Sequence, residues 1–313
     1  MVRTRRKLIL GVLAVLLVVF AYRVFVIYTV RSGECRPRPV DPNLRQLTRD
    51  EHGTLVSFPE RTGFPRQRRP LIMMTYNIAG HDELIDGDHI RHIAEAIRRL
   101  HPDIVTLQEV HRGTWQARFH DQFAELEART GMKGYFAPSY VRWGGAYGNA
   151  ILTRGQLVGV EVHPLPCTGE PRALLEATIL IEGATISVYA THLTSWGGLN
   201  SKIRAEQLQC LGREVHSSRY PYILAGDLNT GPDSPEMEAF RRENIAQLAT
   251  EGIGATFPQW DEQIDYIFVD HGWQVRSARS WPVDVSDHLP VTVELMWERP
   301  DVLAGTVSPG ARR

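Results

Sequence analysis

Short apolar runs alternate with helical stretches from residue 71 to residue 297. The runs LIMMTYNI, from Leu71, and DIVTLQEV, from Asp103, each have the length and composition of a buried strand. The same pattern recurs in SVYATHL, YILAGDLN, IDYIFVD and VSDHLPVTVEL, and further strand-like runs lie at 133–139, 146–153, 156–163, 172–182, 273–281 and 290–297. The pattern therefore predicts a body built on many buried strands.

Helices are predicted between these runs. Residues 88–100 place their apolar side chains on one stripe, which is typical of an amphipathic helix, and Asp88 is a suitable cap. Residues 114–130 and 200–217 are further helix candidates that begin at Thr114 and Asn200. The order is neither a strict strand–helix alternation nor all strand. It therefore predicts an α/β sandwich in which two mixed sheets pack together under outer helices, without an internal repeat or domain break.

The N-terminal region carries a different pattern. Residues 8–30 form an apolar stretch of 23 residues in which only Arg23 is charged. A helix of this length crosses a hydrocarbon core of about 30 Å, and Arg23 is near enough to its end to reach the head groups. A cleaved signal peptide is the alternative, but no small-residue cleavage site follows promptly. The sequence thus predicts a basic tail and transmembrane anchor over 1–30.

The remaining boundaries follow from composition. Residues 31–70 are rich in Pro and Arg and predict an irregular stalk, whereas 298–313 predict a flexible tail. This leaves 71–297 as the catalytic or binding body. Basic residues flank the anchor on both sides, so their count does not decide its orientation. Because a short basic tail usually stays in the cytoplasm, we expect a single-pass membrane protein with an extracytoplasmic body.

Composition and charge narrow the possible functions. With 43% hydrophobic and 23% charged residues, the chain is an ordinary globular protein rather than a disordered or collagen-like one. Residues 71–297 hold 18 Lys and Arg against 29 Asp and Glu, and an acidic body is a poor generic binder of polyanions. Cys35, Cys167 and Cys210 are too few for a disulfide framework. A Cys167–Cys210 bridge and free thiols both stay open.

Polar side chains that can bind metal or phosphate stand at or beside the ends of the predicted strands. They are Asn77, Glu109, His192, Asp227, Asn229, Asp265, Asp287 and His288. Any one of them could be an ordinary turn or capping residue. Together they predict a site at one sheet edge, where four carboxylates repel one another unless a cation is present. Oxygen ligands suit Mg²⁺, and also Mn²⁺ or Ca²⁺, better than zinc.

The sequence lacks the motifs of two other common types of site. No Cys-rich or HExxH spacing supports a structural or protease-type zinc site. No GxxxxGK[ST] loop supports the usual nucleoside triphosphate cradle.

Seven separated motifs carry a family resemblance. They are YN at 76–77, LQEV at 107–110, YGNAILTR at 147–154, THL at 191–193, GDLN at 226–229, IDYIF at 264–268 and SDHLP at 286–290. In this order, the set resembles the endonuclease/exonuclease/phosphatase superfamily of deoxyribonuclease-I-like and sphingomyelinase-like phosphoesterases. The resemblance covers 71–297. It implies a four-layer α/β/β/α sandwich and divalent-metal-dependent hydrolysis of a phosphoester.

The resemblance also implies residue roles. Glu109 would be the principal metal ligand, with Asn77 beside it and Asp287 as a further contact. Asp227 would position or deprotonate the attacking water, and Asn229 would orient it. Asp265 would pair with His288 so that this ring faces the phosphoryl group, and His192 would occupy a second phosphate-facing position. Asn149 and Arg172 are candidates for phosphate-side support, with a structural turn bond and a surface ion pair as their alternatives.

The substrate is a further expectation. The acidic body and its short connections, such as the 34 residues between Asn229 and Ile264, favour a lipid head group or small phosphoester over nucleic acid. Trp196, in the loop 194–202, could contact lipid or pack against a neighbouring loop. We therefore expect a membrane-anchored, Mg²⁺-dependent phosphodiesterase or phosphatase, and no protein partner is implied. A nuclease with the same site and a catalytically silent binding domain are the alternatives.

Overall fold

The computed structural model describes residues 69–80, 88–142, 144–195 and 200–297. The predicted anchor at 8–30, nearly all of the stalk, the tail at 298–313 and Trp196 lie outside these residues and stay predictions. Among the helices that are described, none is long and apolar enough to cross a membrane.

The elements of the described residues are strands, four α-helices and a short 3₁₀ helix. The strands are β1 (Leu71–Asn77), β2 (Ile104–Arg112), β3 (Lys133–Arg142), β4 (Gly145–Thr153), β5 (Gln156–Leu165), β6 (Arg172–Ile181), β7 (Ala184–His192), β8 (Tyr222–Asp227), β9 (Gln247–Leu248), β10 (Asp265–Val269), β11 (Trp273–Ser280) and β12 (Val291–Trp297). The helices are α1 (His89–Leu100), α2 (Gln122–Thr130), α3 (Asn200–His216), α4 (Pro235–Arg242) and the 3₁₀ helix Pro258–Trp260.

The strands form two six-stranded sheets of similar design. Their orders are β11-β12-β1-β2-β4-β3 and β5-β6-β7-β8-β10-β9. At the centre of each sheet is one parallel pair, β1 with β2 and β7 with β8, and the flanking pairs are antiparallel. The prediction of two mixed sheets is confirmed. Since parallel strands end at the same edge, each sheet gathers the polar residues at its central carboxyl ends.

Three apolar clusters hold the layers together. Met73 and Ile104 meet Val188 and Ile223 in the cluster between the two sheets. A second cluster joins the other face of the first sheet to α1 and α2, and a third joins the second sheet to α3 and α4. The chain therefore has an α/β fold in which helices flank two packed sheets. Burial on both faces explains why the central strands, such as β1, β2 and β8, are nearly continuous apolar runs.

The helix predicted over 114–130 is shorter than expected. It begins only at Gln122, where the Asp121 side chain accepts a hydrogen bond from the Ala124 backbone at 3.0 Å. Residues 115–119 form a turn instead, because Arg118 and Phe119 have φ values of 47° and 64° that a right-handed helix does not permit. This leaves Phe119 exposed.

The structure corrects the cap of α1, adds a short helix and excludes one of the two cysteine alternatives. Asp88 does occupy the N-cap position of α1, but its side chain makes no capping hydrogen bond and instead pairs with Arg91 at 2.8 Å. Helix α4 was not predicted, although Ser234 caps it and Pro235 begins it, which is a common combination at a helix start. Cys167 is a buried free thiol, so the Cys167–Cys210 bridge is not formed.

Candidate active site

Asn77 links the two sheets at the rim where their central parallel strands end. Its Nδ2 donates to Asp227 Oδ2 at 3.1 Å, a contact between residues 150 positions apart, and to Glu109 Oε1 at 3.3 Å. The same nitrogen lies 3.4 Å from Nε2 of His288. Its Oδ1 accepts a hydrogen bond from the Ala79 backbone at 3.0 Å. The structure thus brings four of the sequence-predicted site residues into one group.

Glu109 reaches this rim through an irregularity in β2. The pairing of β2 with β4 shifts between Leu107 and Val110, and Glu109 has a φ of 61°. A left-handed conformation is unfavourable for glutamate, and such strain is concentrated at functional sites. Gly80 permits it, because a Cβ there would lie 2.1 Å from the Glu109 carbonyl oxygen. The bulge therefore redirects the carboxylate towards Asn77.

Asp227 is the centre of the group. Its side chain is buried, its Oδ2 lies 3.4 Å from His192 Nε2 and 3.7 Å from His288 Nε2, and its Oδ1 accepts from the Asn229 backbone at 2.8 Å. Burial, followed by the neighbouring Asp265 carboxylate, raises the pKa of Asp227 to about 7. A carboxylate with such a pKa can accept and release a proton near neutral pH.

A carboxylate orients His288. Asp265 Oδ2 lies 2.8 Å from Nδ1 of His288, and the Phe257 ring packs against the imidazole at a centroid distance of 4.9 Å. Burial alone would lower the pKa of His288, but the Asp265 and Asp227 carboxylates outweigh it and raise this pKa to about 10. The ring is therefore cationic at neutral pH and presents its Nε2–H to the rim.

His192 is the neutral counterpart of His288. Arg172 Nη1 donates to Nδ1 of His192 at 2.9 Å, so the hydrogen-bond pattern assigns the ring proton to Nε2, which faces Asp227. Burial, then the positive charges of Arg172 and His288, lower the pKa of His192 well below its ordinary value of 6.5. The two histidines therefore offer donors of different charge on either side of one carboxylate.

The lowered pKa of His192 predicts a pH-dependent stability. In the metal-free protein below pH 6.5, the unfolded chain takes up a proton that folded His192 refuses, so His192 contributes a fall in the free energy of unfolding on acidification. The slope is at most about 1.4 kcal/mol per pH unit for one group. The free energy of unfolding is measured with urea in EDTA at several pH values between about 7.5 and 5.5. It should change less steeply with pH in His192→Gln than in the wild type. An exposed-site control, His216→Gln, should keep the wild-type slope; equal slopes for all three chains would contradict the assignment.

The two residues suggested for phosphate-side support make mainly protein contacts. Asn149 Nδ2 donates to the Ala173 carbonyl at 3.0 Å, a structural bond between β4 and β6 of the two sheets rather than the expected turn bond. Arg172 pairs with Glu170 at 3.0 Å as well as with His192, and its buried Nε has no hydrogen-bond partner. Arg172 therefore contacts the group through His192, and Asn149 supports the strand beside it.

Two predicted residues lie at the margin of the group. Asp287 is exposed, and its Oδ1 accepts from Ser286 Oγ at 3.3 Å. Asn229 has a φ of 51°, which asparagine tolerates, and its Nδ2 donates to the Leu193 carbonyl at 3.1 Å. The backbone of Asn229 contacts Asp227, whereas its amide secures the loop after β7. Their roles towards metal and water stay predictions.

A family model described as the endonuclease/exonuclease/phosphatase family matches residues 74–288. The chain belongs to this family. Its members are typically metal-dependent hydrolases that act on phosphoester bonds. The matched residues include every candidate site residue from Asn77 to His288.

Solved structures of other proteins have a similar fold. An endonuclease/exonuclease/phosphatase from Beutenbergia cavernae is 28% identical, with coverage of 74% of this chain and 72% of that chain and a TM-score of 0.63. The human nocturnin catalytic domain, solved with a sulfate anion, is 25% identical, with coverage of 75% and 97% and a TM-score of 0.60. D. rerio TDP2, solved with a single-strand DNA product, is 18% identical, with coverage of 72% and 99% and a TM-score of 0.62. No curated protein matches the sequence.

The donor set at the rim suits the divalent metal typical of the family. Carboxylate oxygens of Asp227 and Asp265 lie within 4.8 Å of one another and of a ring nitrogen of His288. Because the His288 ring is cationic, the carboxylates are the metal donors, and the buried Asp265 Oδ1 has no hydrogen-bond partner. The carboxylate of Glu109 adds another oxygen donor beside them. An oxygen-rich group of acids favours a hard cation such as Mg²⁺. Burial, followed by the charge of Asp265, raises the pKa of Asp227, and a cation beside it would offset both effects.

Two positioning residues were missed from the sequence. Ser286 Oγ donates to the Asn77 carbonyl at 2.8 Å and accepts from the His288 backbone at 3.2 Å, so it joins two parts of the site. Thr256 Oγ1 accepts from the Asp265 backbone at 3.0 Å and fixes the start of β10. Ser286 belongs to the SDHLP motif and could have been assigned a role from it. Nothing in the sequence singles out Thr256.

Proposed function

We propose that this protein is a divalent-metal-dependent phosphoester hydrolase in which water attacks phosphorus and Mg²⁺ is the resident cation. The observation that carries the proposal is the environment of Asp227, a buried carboxylate contacted by Asn77, His192 and His288. Such a group combines a base with three hydrogen-bond donors, which is what hydrolysis of an anionic ester requires.

The chemistry follows from the charge states of the side chains. Asp227 would accept a proton from the attacking water, because its pKa is near neutrality. His288 would donate to a phosphoryl oxygen as an imidazolium held by Asp265, and neutral His192 would donate from Nε2. Glu109 and Asn77, with Asp287, would hold the cation. Bound there, Mg²⁺ would supply Lewis-acid stabilisation of the negative charge that develops on the phosphoryl oxygens.

The surface around the site supports a substrate with an apolar part. Trp115, Phe119 and Val141 are 63%, 67% and 73% exposed. They lie after β2 and near the end of β3, at the sheet end that carries Glu109. Exposed apolar side chains at the same end of a sheet support a binding surface there. With the acidic body, they favour a lipid head group or small apolar phosphoester as the substrate.

A nuclease is the second candidate. Exposed aromatic rings can stack on unpaired bases as well as contact lipid, and Trp260, which packs on the Phe257 ring beside His288, is 51% exposed. D. rerio TDP2 was solved with a single-strand DNA product, although its 18% identity to this chain shows only a common fold. Binding a single strand would require fewer basic side chains on the protein surface than binding a long duplex.

The substrate panel tests the function and separates these candidates. The full-length chain is incubated with sphingomyelin vesicles, phosphatidylinositol vesicles, inositol phosphates, single-stranded DNA and plasmid, each in Mg²⁺ and in EDTA. We expect Mg²⁺-dependent release from a lipid or small ester, loss of activity in EDTA, and an unchanged circular dichroism spectrum. Faster turnover of DNA would establish the nuclease. If no ester is hydrolysed, the catalytically silent binding domain is the better account.

We also propose that residues 8–30 anchor the protein and that residues 71–297 are extracytoplasmic. The support is the apolar stretch itself, which is long enough to cross a bilayer. The full-length chain should stay in the membrane pellet after carbonate extraction, and a chain lacking 8–30 should not. Protection of the body from protease added to intact cells would contradict the extracytoplasmic orientation.

A further inference from the structure

A second group of metal-ligating side chains lies on the outer face of the second sheet. Glu161 and His163 are two positions apart on β5, and Glu176 on β6 is directly paired with Glu161. One ligand atom from each of these three lies within 4.8 Å of the other two. Opposed carboxylates on neighbouring strands repel each other, so a positive charge between them, from a protonated imidazole or a metal ion, would stabilise this arrangement.

His163 is the member of this group whose hydrogen bonding is incomplete. The residue is 4% exposed, and its Nε2 lies 3.3 Å from Glu176 Oε2. Its Nδ1 lies 3.4 Å from Glu214 Oε2 on α3, yet it is buried and makes no hydrogen bond. In this geometry Nε2 can bind a metal beside Glu176 while Nδ1 donates to Glu214, and metal-bound histidines commonly donate to an acid in this way.

The surrounding contacts orient the proposed ligands. Tyr189 Oη donates to Glu176 Oε1 at 2.9 Å and Ser187 Oγ donates to the same oxygen at 3.4 Å. These bonds occupy Oε1 and leave Oε2 facing His163. Glu161 is exposed, so an ion can reach the group from solvent.

We propose that Glu161, His163 and Glu176 form a second, non-catalytic divalent metal site that takes Zn²⁺, with Glu214 holding the His163 ring. Imidazole with carboxylates is a donor set that zinc accepts, whereas Mg²⁺ prefers oxygen ligands alone. The ion would fasten the edge strand β5 to β6 and, through His163 and Glu214, to α3. The group is separate from Glu109 and Asp227, which lie at the strand ends.

Zinc titration calorimetry on the full-length chain in excess Mg²⁺ tests the site. We expect one zinc equivalent in the wild type and in Asp227→Asn, because Asp227 belongs to the other group. Removing one ligand should weaken that binding at least about tenfold in His163→Gln and Glu161→Gln. Glu206→Gln, an exposed change on α3, is the matched control and should bind as the wild type does.

Two further readouts keep the test decisive. Glu161 is exposed, so Glu161→Gln should fold even if His163→Gln does not, as circular dichroism in EDTA will show. Co²⁺ in place of Zn²⁺ should give visible absorption bands that are lost in Glu161→Gln. Identical isotherms for the wild type, His163→Gln and Glu161→Gln, or zinc binding lost only in Asp227→Asn, would overturn the proposal and leave an imidazolium paired with glutamates.

Discussion

Replacing Asp227 with asparagine is expected to lower phosphoester turnover by about 10³-fold, because asparagine cannot accept the proton of the attacking water. Its side chain keeps the shape of aspartate, and its oxygen can still accept the hydrogen bond from the Asn229 backbone. The change relieves repulsion from Asp265 but places an amide against the Asn77 donor, so we expect the free energy of unfolding to change by less than about 2 kcal/mol. Turnover should fall far more than stability.

Steady-state rates and urea unfolding of the same preparations measure both quantities. The matched control is Asp233→Asn, an exposed change in the loop that follows Asn229, which should leave both unchanged. Asp227→Asn with a rate within about twofold of the wild type would remove Asp227 from the chemistry, since a general base contributes far more than that. An unfolded variant would show that the carboxylate has a structural role.

Replacing Glu109 with glutamine is expected to raise the Mg²⁺ concentration for half-maximal activity by at least about tenfold. Glutamine keeps the size of the side chain but loses the charge that attracts a hard cation. Neither sheet is disturbed, because Glu109 is half-buried at a bulge rather than packed in an apolar cluster. The expected defect is therefore one of metal affinity, which high Mg²⁺ should partly rescue.

Activity measured over a Mg²⁺ series separates this defect from a loss of folding. Glu206→Gln is the control because it removes an exposed glutamate on α3, and its activation curve should overlay that of the wild type. If Glu109→Gln has the wild-type midpoint and only a lower maximal rate, the carboxylate acts on the substrate rather than on the cation.

Most of the fold, and most of the residues that meet at the site, could be predicted from the sequence. Buried strands of parallel pairs are continuous apolar runs, and the polar residue that ends such a run must lie at the sheet edge. For this reason Asn77, His192 and Asp227 could be placed near one another before their contacts were known. The prediction of Glu109 at the same edge held even though a bulge in β2, which the sequence does not reveal, directs its side chain.

The features that sequence did not predict depend on contacts between distant segments. The turn at 115–119 carries apolar residues that suit a helix, and only the folded structure shows that Trp115 and Phe119 face solvent. The hydrogen bond of Arg172 with His192 joins β6 to β7. Thr256, which lies in a loop, accepts a hydrogen bond from the backbone at the start of β10. The charge states of the two histidines follow from burial and neighbouring charges, which are properties of the assembled site.

Anomalous diffraction from crystals of the full-length chain grown with Mn²⁺ tests the central claim most directly. Mn²⁺ can replace Mg²⁺ at oxygen-rich sites and identifies its own position by its scattering. The proposed function predicts a peak within bonding distance of the Glu109 carboxylate, next to Asn77 and Asp227. Crystals that show no peak at this rim, while Mn²⁺ occupies other sites, would contradict a metal-dependent phosphoester hydrolase.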